Sequence, residues 1–316
     1  MADESRKVLY AALAGNVLVT LCKFGAAALT HSSAMLSEAV HSLVDTGNGL
    51  LLIYGAYRSA KPPDARRPLG YGRDLYFWSF LVSLLIFGFG AGFAIYEGIR
   101  HILNPVTIES PLVNYGVLAL AALFEGGSWV VAFREFRRRK GDRGYLQAAE
   151  ETKDPRTLMV FLEDSAALAG IALAFAGMLA AQLLGEPRYD GAASIAIGVL
   201  LAVVAGFLIR ENKMLLLGES ARPEVVRSIS GIAAAEPGVA HFNGLLTFQM
   251  GPRQVVAALS LDFEESLRAR EVQEIVKRLE ERVRAAHPEI VMLLVKPQTP
   301  EAYRAAEQAR YRWREP

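Results

Sequence analysis

The sequence predicts an all-α membrane domain followed by a smaller α+β domain. Long apolar runs dominate the chain up to about residue 210, whereas charged residues recur every few positions after it. Six of the runs approach or reach the ~20 apolar residues that a membrane-spanning helix needs. The remainder has the pattern helix, strand, strand, helix, strand. We therefore divide the chain into a six-helix transmembrane domain over residues 1–210 and a soluble domain over residues 211–316.

Composition excludes several classes of protein. The net charge of +1 gives no indication of nucleic-acid binding. The single cysteine, Cys22, lies inside an apolar run and excludes both a disulfide framework and a cysteine-based zinc finger. Residues 1–7 are polar and the run after them is long enough to span a bilayer, so we expect no cleavable signal peptide.

The six predicted spans alternate between connections of different charge. Their predicted bounds are 8–29, 33–57, 75–102, 111–135, 156–184 and 190–210. Lysine and arginine concentrate before the first span, in the second and fourth connections, and after the last span. Because positive residues stay on the cytoplasmic side, we expect both termini in the cytoplasm and the protein in the plasma or inner membrane.

The soluble domain is predicted from its alternation of apolar and charged residues. We expect helices at 222–235 and 267–286 and strands at 239–250, 255–263 and 289–295. The tail, residues 299–316, is rich in Arg, Glu and Tyr and is predicted to form an exposed helix.

Ionisable residues near the middle of two spans indicate a shared ligand. His41 and Asp45 stand four residues apart, which places them on the same face of a helix. In the fifth span we expect Asp154 as N-cap and Pro155 at the first helical position, so Asp164 lies about ten residues along. At ~1.5 Å per residue all three lie about 12–18 Å deep in a ~30 Å core. Such residues are costly in a bilayer and indicate function, although a buried hydrogen bond alone would also explain the first pair.

Several motifs together resemble one known family, the cation diffusion facilitators. They are HSLVD at His41 and Asp45, FLEDSAALAG at Asp164, PDARRPLGYGR before the third span, the GxxxG of Gly88 and Gly92, and YDGAASIAIG opening the sixth span. The stretch KDPRTLMVFLEDSAAL is similar to the subgroup around zinc transporter 9. The resemblance implies a six-helix divalent-metal/proton antiporter, not an enzyme, with a ferredoxin-like cytoplasmic domain that forms a homodimer. It implies that His41, Asp45 and Asp164 hold the transported ion, and that no cofactor is permanently bound.

One position of the implied site departs from the family. Val160 stands four residues before Asp164, where the family has histidine or aspartate. The fourth ligand could be water, then in order of preference Glu163 or Glu38. Glu163 is rotated by about 100° from Asp164 around the helix, so it would need a rotated or distorted helix.

The accessory metal positions of the family also differ in this chain. Asp64 matches a ligand, but Arg67 and Tyr71 replace histidines. In the soluble domain, Asn243, Leu294 and Lys296 stand at ligand positions. We therefore expect this domain to bind no zinc tightly, and we interpret His241 as structural.

The predicted ligands indicate the kind of ion. Imidazole with carboxylates suits Zn²⁺, Fe²⁺, Co²⁺ or Mn²⁺, and the histidine favours zinc over manganese. The ligands bind metal when deprotonated, which predicts exchange of metal for protons. Two alternatives are an intramembrane metal-dependent hydrolase and a non-transporting scaffold. Glu125 could serve a proton pathway or pair with Asn16, Lys23 or Asn48, and we expect Lys23 to snorkel toward the membrane surface.

Overall fold

Helices form most of the chain. The computed structural model describes residues 2–107 and 110–311, with the side chains of 16–107, 110–138 and 140–309. The helices of the first two-thirds are α1 (Ala2–Thr30), α2 (Ser33–Ser59), α3 (Arg73–Leu85), α4 (Gly92–Leu103), α5 (Pro111–Lys140), α6 (Tyr145–Glu150), α7 (Pro155–Leu184) and α8 (Arg188–Leu217). A π-helical turn, Ile86–Ala91, joins α3 to α4 without a break. Each predicted span therefore coincides with a helix or, for the third, with this continuous pair.

Four helical segments are long and apolar enough to cross a membrane, counted over the described residues. They are Arg73–Leu103, Pro111–Arg138, Pro155–Leu184 and Arg188–Leu217. The described side chains of α1 add a shorter apolar stretch, Asn16–Thr30. Helix α2 falls outside this group because Glu38, His41, Asp45 and Asn48 interrupt its apolar residues. The chain is an integral membrane protein by this pattern.

The chain folds into two compact units, and each is built from two separate stretches of the sequence. One unit comprises the chain up to Tyr57 together with Leu75–Lys213. The other comprises the loop Arg58–Asp74 and the chain from Met214 onward. The sequence did not predict that this loop would belong to the second unit. The C-terminal part of that unit begins at Met214, four residues after the expected division at residue 210.

The start of α7 confirms the predicted cap. Asp154 precedes the helix in extended conformation and its side chain accepts a hydrogen bond from the backbone N–H of Arg156, with Pro155 at the first helical position. The cap satisfies a backbone donor that the first helical turn leaves unpaired.

Close helix approach in the first unit depends on glycines of α4 and α8. A Cβ added at Gly98 would lie 2.6 Å from the backbone oxygen of Gly191, and one at Gly191 would lie 2.9 Å from that of Gly98. By contrast, nothing lies within 4 Å of a Cβ added at Gly88, and Gly92 meets only an oxygen of its own helix at 3.8 Å. Gly88 and Gly92, the GxxxG pair of the sequence, therefore make no close contact with another helix among the described residues.

The carboxylate of Asp190 fixes the beginning of α2. It accepts hydrogen bonds from the Ser32 hydroxyl at 2.7 Å and from the backbone N–H of Ser33 at 2.6 Å. The hydroxyl of Ser33 and the N–H of Ala34 also donate to it. A negative charge at a helix N-terminus satisfies free N–H groups and complements the helix dipole. Asp190 is completely buried, so α8 holds α2, the helix that carries His41 and Asp45, at a defined position.

The second unit contains a three-stranded mixed sheet with helices. Its elements are α9 (Pro223–Ala234), β1 (Val239–Gly251), β2 (Gln254–Phe263), α10 (Ala269–Ala286), β3 (Ile290–Pro297) and α11 (Pro300–Tyr311). β1 and β2 pair antiparallel, and β2 and β3 pair parallel. The predicted order αββαβ is confirmed. Helix α11 confirms most of the predicted tail helix, whose last residues, 312–316, lie outside the described residues.

Candidate metal site

A cavity of about 130 Å³ lies among the helices of the first unit. Four helices line it, namely α1, α2, α5 and α7. The lining residues are Asn16, Val19, Ser42, Asp45, Gly49, Leu52, Phe124, Glu125, Ser128, Val160, Glu163 and Asp164. The structure thus brings Asp45 of α2 and Asp164 of α7 to one cavity, together with Glu163 and Glu125.

Neighbouring polar side chains hold two of these carboxylates. The Ser128 hydroxyl donates to Asp164 Oδ2 at 2.7 Å. The Asn48 amide donates to Glu163 Oε1 at 3.2 Å. Partners of this kind orient carboxylates that bind metals. Sequence reasoning assigned no such role to Ser128 or Asn48, although each stands three residues after an acid on its own helix, Glu125 and Asp45.

His41 lies beside the cavity and not on its lining. Its Nε2 is 3.5 Å from Asp45 Oδ2, which agrees with the predicted spacing of one helical turn. The imidazole is 1% exposed and neither ring nitrogen has a hydrogen-bond partner among the described residues. Asp45 Oδ1 also lacks such a partner. Buried polar atoms without partners are uncommon, so this pair retains unused capacity to bind a ligand.

Lys23 does not snorkel, contrary to expectation. Its ammonium is fully buried and donates to Glu38 Oε2 at 3.0 Å and to Ser42 Oγ at 2.7 Å. The nearby carboxylate on α2 offers the ammonium a closer partner than the membrane surface does. Gly170 of α7 leaves the space for this carboxylate, because a Cβ there would clash with Glu38 Oε1. Glu38, the third candidate for the fourth ligand, is therefore engaged with Lys23 and does not line the cavity.

The acids around the cavity are not arranged around one common point in this conformation. Over the described part of the chain, no three side chains of His, Cys, Asp and Glu form a ready-made coordination shell.

Comparison with known proteins identifies the family. Residues 9–217 match the family model described as the cation efflux transmembrane domain. The chain belongs to the cation efflux family. These are the cation diffusion facilitators that the motifs indicated.

The relatives with curated names include zinc and other metal transporters. The mitochondrial proton-coupled zinc antiporter SLC30A9 of Mus musculus is 36% identical over 260 residues, 82% of this chain and 46% of that protein. Metal tolerance protein C4 of Arabidopsis thaliana is 34% identical over 227 residues, 69% and 48% of the two chains. The cation-efflux pump FieF of Cronobacter sakazakii is 27% identical over 289 residues, 90% and 91% of the two chains. The chain thus spans about half the length of the first two relatives.

At the accessory metal positions of the family, the residues of this chain bind one another. The Tyr71 hydroxyl donates to Asp64 Oδ2 at 2.6 Å, and the backbone N–H groups of Arg66 and Arg67 donate to Oδ1. These bonds hold the pKa of the Asp64 carboxyl below its ordinary value, the Tyr71 bond contributing most. The guanidinium of Arg67 stacks 4.5 Å above the Tyr71 ring. A cation would have to displace these donors to bind Asp64.

The accessory metal position in the sheet is also occupied by structural hydrogen bonds. The Asn243 amide donates to the backbone oxygen of Gln298 at 2.6 Å and to Ser260 Oγ at 3.3 Å. Leu294 is 53% exposed on β3 and His241 is exposed on β1. The absence of tight zinc binding by this domain stays a prediction.

The buried ion pair predicts strong coupling between Lys23 and Glu38. Lys23→Met or Glu38→Gln alone strands one buried charge, so we expect each to lower the free energy of unfolding by about 3–5 kcal/mol. The double variant removes both charges and should lose less than the sum of the two. Thermal unfolding of each purified variant in detergent measures these losses of stability.

The exposed pair of Glu186 and Arg188 provides the control. Its atoms are 3.8 Å apart and its side chains 47% and 61% exposed, so its neutralisation should change the stability by at most about 1 kcal/mol. Strictly additive losses for Lys23→Met and Glu38→Gln would contradict the assignment of a stabilising pair.

Proposed function

We propose that this chain exports divalent metal cations, zinc foremost, in exchange for protons. One observation carries the proposal. In a chain of the cation efflux family, Asp45 and Asp164 from two different helices line one cavity inside an apolar domain. Ionisable side chains at such positions mark ion pathways. The names of the relatives, a proton-coupled zinc antiporter and a cation-efflux pump, agree with it.

The proposed ligands on α2 and α7 are His41, Asp45 and Asp164; for the fourth position, the sequence left water or Glu163 as candidates. The ring nitrogens of His41 and the Oδ1 of Asp45, which accept or donate no hydrogen bond among the described residues, support their part in binding. Nitrogen and oxygen ligands suit Zn²⁺, and also Fe²⁺, Co²⁺ or Mn²⁺. The ion is the cargo of the transporter.

Proton coupling follows from competition for the same atoms. Carboxylates and imidazole bind metal only when deprotonated, so protons reaching the site displace the ion. Ion loading from the side with few protons and release toward the side with many would drive export. The cavity must then open alternately to the two sides, with the ion site near the middle of the helices.

The proposed topology has six spans in a plasma or inner membrane, with both termini on its cytoplasmic side. Helix α2 carries several polar residues, and α1 and α8 bind some of them through Lys23 and Asp190. A polar helix can cross a membrane when its polar groups face the bundle interior. Labelling of single cysteines placed near each terminus in intact cells tests the orientation, and labelling of either by an impermeant reagent would contradict it.

We also propose that the chain forms a homodimer through a ferredoxin-like domain in its second unit. One face of the sheet carries two apolar rows across the strands, Phe248–Val256–Met292 and Leu246–Ala258–Leu294. The opposite face packs on the helices through Val255, Ala257, Leu259 and Leu293. The exposed side chains of the two rows are Leu246 (42%), Phe248 (47%), Met292 (37%) and Leu294 (53%), and such patches mark protein interfaces.

A double substitution tests the homodimer. Phe248→Glu with Leu294→Glu should convert the dimer to monomer, because it buries four charges in the proposed interface. Light scattering of the purified protein in detergent measures the mass. Lys277→Glu, on the exposed side of α10, is the control and should leave the mass unchanged. A dimer of unaltered stability in the double variant would exclude this face as the interface.

Uptake by vesicles containing the purified protein tests the function. With an imposed proton gradient, Asp45→Ala and Asp164→Ala should reduce zinc uptake to that of empty vesicles, since each removes a charged ligand. Dimerisation and folding should remain intact. Glu97→Gln alters another buried acid, which is paired with Arg100 and does not line the cavity, and should transport normally.

Near-normal uptake in either aspartate variant would refute the site. No uptake by the unaltered protein would favour the two alternatives from the sequence, and release of a hydrolysis product would then separate the hydrolase from the scaffold.

A further inference from the structure

We propose that Glu125 of α5 is a ligand of the transported ion, so that three helices, and not two, supply the protein ligands. The inference rests on the proposed function, because it adds a residue to the same site. It goes beyond the pair on α2 and the single aspartate on α7 from which the sequence predicts the ion site.

The geometry of α5 places Glu125 at the level of the ion site. Glu125 and Ser128 are three residues apart, share one face of the helix and both line the cavity. The 2.7 Å hydrogen bond from Ser128 to Asp164 fixes the neighbouring turn of α5 against α7. Glu125 therefore shares one cavity with Asp45 and Asp164 while standing on a third helix.

Because residue 160 is a valine, the site lacks one protein ligand, and Glu125 can supply it. Val160 lines the same cavity but offers no donor atom, so α7 contributes only Asp164 from its predicted pair of ligands. A tetrahedral zinc site takes four donors, commonly histidine nitrogen and carboxylate oxygen. His41, Asp45, Asp164 and Glu125 would complete such a set.

Of the other two acids considered for this position, only Glu163 lines the cavity, and both already have a polar partner. Glu38 is paired with Lys23, and Glu163 accepts a hydrogen bond from Asn48 of α2 at 3.2 Å. For Glu125, no hydrogen bond to the described side chains would have to break. Its carboxylate can therefore turn toward an ion without breaking a described contact.

The size of the cavity suits this rearrangement. Its volume of about 130 Å³ compares with ~30 Å³ for one water molecule in the liquid, so an ion and a few waters fit. Carboxylate oxygens bind zinc at about 2.0–2.2 Å, so binding would require the side chains on the cavity wall to rotate toward the ion.

A thiolate placed at residue 125 tests direct contact with the ion. The background is Cys22→Ser, which removes the one cysteine of the chain. In the full-length protein, Glu125→Cys titrated with Co²⁺ should give the near-ultraviolet charge-transfer absorption of a cobalt–thiolate bond. Glu97→Cys is the matched control, a buried acid outside the cavity, and should give none. Asp164→Cys is the positive control for the proposed site.

Zinc affinity of the full-length protein provides the second measurement. Glu125→Gln should weaken zinc binding at least tenfold, and adding Val160→Asp should recover most of the loss by supplying a carboxylate from α7. This rescue distinguishes a ligand from a residue that only supports folding.

The outcomes separate the inference from the function on which it rests. Absorption in Asp164→Cys without absorption in Glu125→Cys would overturn the role of Glu125 and leave the proposed site standing. Unchanged zinc affinity in Glu125→Gln would overturn it as well. No absorption in either variant, with unchanged zinc affinity in Asp45→Asn, would refute the ion site itself.

Discussion

Burial of charge among apolar helices is the constraint on which the structure of the first unit depends. A charged side chain inside such a bundle is destabilising unless a partner compensates it. Asp190 meets this requirement by accepting the free N–H groups at the start of α2, and Glu38 meets it through Lys23. These pairs fix α2 against α8 and α1. The acids around the cavity are compensated less completely, by neutral donors such as Ser128 and Asn48, so their remaining negative charge is available to a cation.

This difference relates the architecture to the proposed transport. Glu38 with its lysine partner and Asp190 with its several hydroxyl and N–H donors hold the helices together. The acids that face the cavity form no salt bridge with a lysine or arginine among the described residues, so a metal ion or protons can compensate them. In the proposed cycle, exchange between metal ion and protons would keep the site neutralised and avoid the penalty of an empty charged cavity. The proposed fourth ligand on α5 would extend the site to a helix that the family pattern of α2 and α7 does not include.

Local patterns predicted the elements well, because hydrophobic length, capping and strand alternation each depend on neighbours in sequence. Asp154 as the cap of α7 and the order of elements around the sheet are examples. Contacts between distant residues were not predictable in this way. The partner of Lys23 depends on how α1 packs on α2, and the close approach through Gly98 and Gly191 depends on the crossing of α4 with α8. The same limit applies to the site: spacing paired His41 with Asp45, but only packing places Glu125 and Ser128 beside Asp164.

The position of the ion itself tests the central claim most directly. A structure of the zinc-loaded full-length protein, with anomalous scattering recorded at the zinc absorption edge, would locate it. The account predicts one zinc peak in the cavity between α2, α5 and α7, in contact with Asp45 and Asp164. A zinc peak at Asp64 or on the sheet of the second unit, with none in the cavity, would contradict it.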